Sequence, residues 1–334
     1  MSTKKEWTAG ELLALSGAYW ETCTLHAAVK LDLFTRIGER RVGAEALAAE
    51  LGSDLRGTRM LLDALSAMGL LVKDSAGYRN TDEALTLLSK DSDQYIGHII
   101  LHHHHLVEAW GRLDRAVRTG RPVEKKNSTQ EEQREHFLMG MFNLAMAIAP
   151  RLAREIDLSG KRRLLDLGGG PGTYAIHFCK ANPELRAGVL DLPTTRPFAL
   201  RTIERFGMSN RVDFIPCDYV QDELHGSFDA AWLSHILHGE GPDTCRDILR
   251  KTAGVLEPGG LVLIHEFILN DTEDAPLFPA LFSLNMLVNT PRGRAYTEGE
   301  LKSMLEEAGF RDVGRLPFNG PNESGILRAV LPAA

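Results

Sequence analysis

The stretch Arg163-Leu-Leu-Asp-Leu-Gly-Gly-Gly-Pro-Gly-Thr-Tyr174 decides the fold of this chain. Arg163 to Leu167 reads as a short buried strand, Gly168 to Gly172 as a turn, and Thr173 to Lys180 as a helix. A strand, a glycine-rich turn and a helix start make a cofactor cradle. Gly168, Gly169, Gly170 and Gly172 carry no Cβ, so the backbone can approach a ligand closely.

Working outward, strands alternate with helices over Ala187–Asp191, Val212–Pro216, Phe228–Ser234 and Leu261–Leu269. Such alternation predicts a parallel sheet covered by helices on both faces, with ligands outside the carboxyl ends of the strands. Polar residues stand at those ends. Asp191 can accept from both hydroxyls of a ribose. In Cys217-Asp218-Tyr219 the carboxylate can take an adenine amino group, with Tyr219 beside the ring. Strand four runs into Ser234-His-Ile-Leu-His238, and strand five contains His265-Glu266. Any one Asp can be a mere turn former or helix cap. Asp191 and Asp218 together, after the glycine turn, point to ligand binding. A dinucleotide fold would place a third glycine at position 173, where Thr173 stands.

The 334 residues suffice for two or three domains, and a net charge of -7 argues against a nucleic-acid partner. Cys23, Cys179, Cys217 and Cys245 form no C-x-x-C pair and read as reduced thiols of a cytoplasmic protein. The start, Met1 to Trp7, shows no apolar signal core, and no apolar run approaches the roughly 20 residues that span a bilayer.

Toward the N-terminus, Glu11 to Phe34 carries apolar residues at helical spacing. Gly43–Gly52 reads as a helix closed by glycine. Ser53 or Asp54 can cap a second helix bearing Met60, Leu61, Ala64, Leu65 and Met68. Leu70–Val72 and Tyr78–Arg79 look like two strands around a turn. This order is a winged helix, which serves either DNA binding or dimerisation. The acidic charge and the catalytic-looking domain behind it favour dimerisation.

Tyr95 to Val117 reads as one long helix with His98, His102 and His105 on one face. Three imidazoles can bind a transition metal, but no carboxylate shares their spacing, and no metal is expected. Gly120–Thr129 is a polar connection. Glu131 to Ile156 reads as a helical pair or one broken helix, punctuated by Pro150. Its Met-rich stripe, with Phe142 and Met146, fits either core or the roof of an apolar pocket. Phe282, Asn285, Met286 and Asn289 fall on one helix face and read as a pocket floor. Thr297 and Glu300 form a capping box for a helix closed by Gly309, and Asp312–Phe318 and Gly325–Leu331 fit the last two strands.

In order along the chain, Leu164–Thr173, Val189-Leu-Asp-Leu-Pro193, Ile215–Tyr219, Phe228–His238 and Leu256–Glu266 resemble the motifs of plant-type small-molecule O-methyltransferases. These are class I enzymes dependent on S-adenosylmethionine (SAM). The family includes caffeate and acetylserotonin O-methyltransferases and bacterial enzymes of polyketide, phenazine and pigment chemistry. Phe142-Asn-Leu-Ala-Met146 resembles its pocket segment, and the resemblance covers nearly the whole chain. It implies an α/β fold: a Rossmann-like methyltransferase sheet over 158–334, a winged-helix dimerisation domain over 1–92, and a helical linker over 93–157 lining the substrate pocket. It implies SAM held by Gly168, Gly169, Gly170, Gly172, Asp191, Leu192, Asp218, Tyr219 and Ser234, with S-adenosylhomocysteine (SAH) as product. It further implies a homodimer through the N-terminal domain. His102 and His105 are expected in the polar wall of the substrate pocket, and the charge and the apolar pattern predict no nucleic acid or membrane as partner.

The family's base is a His after strand four, matched by His238, although Gly239-Glu240 stands where Asp-Trp is usual. Ser234 replaces a frequent lysine. Glu266 matches one of two acids that bracket the base, and the second is missing near Ala295. A phenol is mostly neutral at pH 7, so an imidazole taking its proton assists attack on the sulfonium methyl. Glu266 can hold the other ring nitrogen. The expectation is methyl transfer from SAM to a phenolic or enolic hydroxyl of a small aromatic metabolite. The alternatives are a SAM-binding decarboxylase, hydroxylase or pericyclase, a winged-helix DNA-binding regulator, and a nicotinamide-dependent oxidoreductase.

Overall fold

The computed structural model describes residues 6–123 and 130–333, so the first five residues and the stretch 124–129 of the polar connection lie outside it. The chain divides into two compact units: Met1–Leu106 with Glu131–Asn143, and Val107–Gln130 with Leu144–Ala334. The segment 93–157 is therefore shared between the two units.

The first unit begins with helices α1 (Ala9–Gly17), α2 (Tyr19–Lys30), α3 (Leu33–Ile37), α4 (Ala44–Leu51) and α5 (Leu55–Ala67). Gly52 ends α4 in the left-handed region that a residue with a Cβ disfavours. The Asp54 side chain caps α5 by accepting from the Gly57 N–H at 2.8 Å. Strands β1 (Leu71–Asp74) and β2 (Gly77–Asn80) then pair antiparallel as a hairpin. Helix, turn, helix and hairpin follow in the expected order. Leu33, Phe34, Ile37, Leu47, Leu62, Leu65 and Tyr78 form the core of this unit. By contrast, α1 buries none of its residues, and Leu13 and Trp20 are exposed.

Helices α6 (Asp82–Leu88), α7 (Gly97–Trp110) and α8 (Leu113–Thr119) follow. The single helix expected over 95–117 is thus two, broken at Gly111 and Arg112. The break has a local cause in the glycine and a distant one in Trp110, whose indole N–H donates to Asn285 Oδ1 at 2.9 Å. Helices α9 (Gln130–Met146) and α10 (Ala149–Glu155) form a pair. Pro150 sits in the first turn of α10, where a missing N–H costs nothing.

The second unit holds the large sheet. Its strands are β3 (Arg163–Leu167), β4 (Arg186–Asp191), β5 (Val212–Pro216), β6 (Phe228–Ser234), β7 (Leu256–Leu269), β8 (Tyr296–Thr297), β9 (Arg311–Arg315) and β10 (Ser324–Val330). They lie in the order β5-β4-β3-β6-β7-β10-β9, with β8 beside β7. The first five are parallel, whereas β10 is antiparallel to both β7 and β9, so the sheet is mixed. Besides α8 and α10, the unit's helices are α11 (Thr173–Ala181), α12 (Arg196–Arg205), α13 (Pro242–Val255), α14 (Leu277–Asn289) and α15 (Glu298–Glu307). Strand β9 ends earlier than expected, and the Thr297–Glu300 capping box forms at α15.

Side chains alternate across each strand. Leu164, Ala230, Trp232 and Leu263 face one core with Tyr174 and Phe178 of α11. Leu165, Leu167, Ala231, Leu233 and Ile264 face the other with Ile248 and Leu249 of α13 and Leu301 of α15. Helices therefore cover both faces, and the chemistry is left to the strand ends. Trp232 is fully buried against the Tyr174 and Phe178 rings. Trp232→Ala is expected to lower unfolding free energy by about 3–5 kcal/mol in urea titration. A loss below about 1 kcal/mol would contradict this packing.

Candidate active site

The turn 168–172 has the backbone that the sequence demanded. Gly168, Gly170 and Gly172 all lie at positive φ. A Cβ on Gly168 would stand 2.5 Å from Ile236 Cγ2 and 3.4 Å from the Tyr219 ring. The turn is thus pressed against the segment that follows β6, and only glycine fits there. Asp191, at the tip of β4, ties the turn in place. One of its oxygens accepts from Gly170 N–H at 2.8 Å, and the other from Leu192 N–H and the Thr195 hydroxyl. Burial raises the Asp191 carboxyl, opposed by these donors.

Asp218, after β5, accepts from Val220 N–H at 3.0 Å and more weakly from Gln221 N–H. It therefore shapes its own turn. Tyr219 beside it is pushed up by burial and by Asp191, Glu240, Asp218 and Glu266 around it. Ser234 ends β6 and shares a proton with His265 Nδ1 at 3.1 Å. Ser324 Oγ lies 3.0 Å from the other nitrogen of His265, and burial holds that ring neutral.

His238 lies in the short turn after β6, and its Nδ1 stands 2.8 Å from Glu266 Oε2. Glu266 is buried on β7. Its Oε1 accepts from the backbone N–H of Leu237 at 3.0 Å and of His238 at 3.3 Å, and its Oε2 from Phe267 N–H. Burial would raise this carboxyl, but the imidazoles of His238 and His235 outweigh it and hold it below the carboxylate range. The bond fixes the Nδ1–H tautomer and leaves Nε2 free to accept a proton.

The Phe282 ring packs edge-on against His238 with centroids 4.7 Å apart, and Phe267 flanks both. Met286 lies buried on the same helix. Asn285 is occupied by Trp110 and by Asn289 Nδ2, which also donates to the Asn285 carbonyl. Asn289 Oδ1 is buried with no hydrogen-bond partner. Met146 stands 3.4 Å from His177 Nε2. In the first unit, His105 pairs with His136 at 2.9 Å, the His102 ring meets Phe137, and Phe142 is buried.

At the position of the missing second acid, the Ala295 N–H donates to the Ser283 hydroxyl, and neighbouring Arg294 pairs with Glu300. Among the described residues, Glu266 is the carboxylate paired with His238. Three residues escaped the sequence reading. Gly293 lies under His238, and a Cβ there would strike the His238 carbonyl. His235, at φ 56°, brings a second imidazole beside Glu266. Asp166, a carboxyl inside β3, was the one legible signal, since a charge in a buried strand needs a reason. Its Oδ2 accepts from Ala175 N–H at 3.2 Å, while Oδ1 has no partner.

A cradle with no room for a Cβ at Gly168 or Gly169, the Asp191 carboxylate and an unpartnered Asp166 oxygen fit a nucleoside cofactor with a cationic centre. Gly168 to Gly170, Asp191, Leu192, Asp218 and Tyr219 are the groups that would hold it.

Burial raises the Asp166 carboxyl to about 7, against the Ala175 N–H and with help from Asp191. A group raised on folding favours the folded state least where the unfolded chain has released its proton. Stability of the ligand-free wild type should therefore fall between about pH 4 and pH 7 relative to Asp166→Asn. Parallel urea profiles of the two proteins over that window would contradict the assignment.

Comparison with known proteins fits this geometry. The O-methyltransferase domain model matches residues 110–311, and the O-methyltransferase dimerisation domain model matches residues 13–90. A 3-hydroxy-5-methyl-1-naphthoate 3-O-methyltransferase of Streptomyces sahachiroi is 35% identical over 326 residues, 96% of this chain and 94% of that protein. The tetracenomycin polyketide synthesis 8-O-methyl transferase TcmO of Streptomyces glaucescens is 32% identical, with 96% of each chain covered. The solved structure of PigF with SAH superposes with a TM-score of 0.88 at 27% identity, covering 97% of this chain and all of that one. With a glycine cradle at the strand tips and both domain models matched along its length, the chain belongs to the O-methyltransferase family and is a SAM-dependent enzyme of that family.

Proposed function

We propose that His238 is the general base that takes the proton from a phenolic or enolic hydroxyl as the methyl arrives. The observation that carries this reading is the 2.8 Å bond from His238 Nδ1 to a Glu266 carboxylate itself anchored by three backbone N–H groups. Bound SAM supplies a methyl already activated on a sulfonium. The protein places the acceptor oxygen in line and removes its proton. His238 Nε2 receives that proton, and the anionic Glu266 stabilises the imidazolium that results. Phe282 and Met286 supply an apolar wall for an aromatic ring. The hydroxynaphthoate named for the S. sahachiroi relative makes a hydroxyl on a small aromatic metabolite the acceptor class to try first.

The N-terminal winged helix is read as a homodimerisation element, not a DNA reader. The dimerisation model over 13–90 and the exposed Leu13 and Trp20 support that reading. Four unpaired cysteines support work in the reducing cytoplasm.

Incubation with labelled SAM and a panel of phenols and naphthols is expected to yield SAH and O-methyl product. His238→Ala should keep SAM affinity by calorimetry and lose turnover by about 10²–10⁴. Near-normal turnover in that variant would remove His238 from the role. SAM consumed with no methylated product would favour the decarboxylase, hydroxylase or pericyclase reading.

Gly168→Val tests the cradle separately. It is expected to abolish measurable SAM binding, because its side chain would collide with Ile236. Unchanged affinity would contradict the close approach.

A further inference from the structure

Methyl transfer leaves one imidazole at the site unexplained. His235 sits at φ 56°, a backbone region that few residues with a Cβ adopt. Its Nδ1 is buried with no hydrogen-bond partner. That atom points at Glu266 Oε2 from 3.6 Å, too far for a hydrogen bond. The same oxygen already receives His238 Nδ1. A donor atom from each of His235, His238 and Glu266 therefore gathers within 4.8 Å of the others.

We propose that these three side chains form a site for a divalent transition-metal ion of the zinc class, and that filling it silences the base. Two imidazoles and one carboxylate are the donor set that binds zinc and its neighbours, whereas calcium and magnesium prefer oxygen alone. With metal–ligand bonds of about 2.0–2.2 Å, donors at tetrahedral or right angles lie about 2.9–3.4 Å apart. The two measured nitrogen–oxygen separations, 2.8 and 3.6 Å, bracket that range. All three donors lie within 4.8 Å of one another, so side-chain rotation is what bringing them onto one ion requires. Three backbone N–H groups hold the Glu266 carboxylate in place, and a carboxylate supplies the charge such an ion needs. Both imidazoles keep some exposure, 23% for the His235 side chain and 13% for that of His238, so an ion can enter from water.

The consequence for the base follows from proton counting. A neutral imidazole that ligates through Nδ1 carries its remaining proton on Nε2. That is the atom which must be bare to accept the proton of the acceptor hydroxyl. The bound ion displaces the Nδ1 proton while Nε2 takes one up from solvent, so the ring stays neutral with one proton, and His238 can then only donate. The silencing step rests on the methyl-transfer reading above. The binding step does not.

The test uses the full-length wild type and His235→Asn. Asparagine tolerates positive φ, so the backbone at 235 is kept. Zn²⁺ affinity is measured by competition with a chromophoric chelator, and Co²⁺ binding by its visible absorption. Loss of even an outer-shell partner weakens metal sites about 10–100-fold, and loss of a ligand should do at least as much. The expected result is that the wild type holds one more tight Zn²⁺ per chain than His235→Asn, with the methyl transfer of each protein read against its own metal-free rate. Zn²⁺ should then inhibit wild-type transfer over the range that fills the site, with His235→Asn resistant. His105→Asn controls for the separate imidazole pair His105–His136 and should leave the extra ion in place. Equal Zn²⁺ stoichiometry in wild type and His235→Asn would overturn the site. Equal inhibition of both proteins despite unequal binding would overturn the silencing. A His238→Ala enzyme that still transfers methyl would count against the base reading while leaving the binding result intact.

Discussion

A carboxylate taken out of water is costly unless every lone pair is answered, and Glu266 is answered from one short segment. The N–H groups of Leu237 and His238 and the His238 ring all converge on it, with Phe267 closing the fourth position. The segment after β6 cannot shift without leaving a buried charge exposed to apolar surroundings. This constraint aims the His238 ring without the second acid common in the family.

The sheet delivers this segment to the cofactor cradle. Alternation fills both faces of β3, β6 and β7 with apolar residues, so polar groups are confined to the strand tips. There Asp166, Asp191, Asp218, Glu240 and Glu266 gather around the glycine turn and Tyr219. Burial and Asp191 raise Asp166, burial and Asp218 raise Glu240, and the cluster creates a negative potential. A cationic methyl donor relieves that potential. The same acids make the strand tips inhospitable to a phosphate-bearing cofactor, which agrees with Thr173 standing where a dinucleotide fold wants glycine.

Much of this was legible because it is local. Arg163–Leu167, Val212–Pro216 and Phe228–Ser234 are apolar runs bounded by glycine, proline or charge, and the structure returns those bounds. Asp191 and the 168–172 turn were legible because a strand tip followed by glycine has few other uses. What stayed hidden depends on residues far apart in the chain. The break after Trp110 answers to Asn285, 175 residues away. Asn285, read as a pocket residue, is bound to that indole and to Asn289. Gly293 lies against the His238 carbonyl, a contact between residues 55 positions apart that the sequence does not show. His235 was passed over because only the fold reveals that it shares an oxygen with His238.

Everything at the site turns on which nitrogen of His238 carries the proton. Nitrogen-15 NMR of histidine-labelled protein, at a pH where the ring is neutral, reads the tautomer directly. The account predicts a proton on Nδ1, shared with Glu266, and a bare Nε2. A proton found on Nε2 in the metal-free enzyme would contradict it.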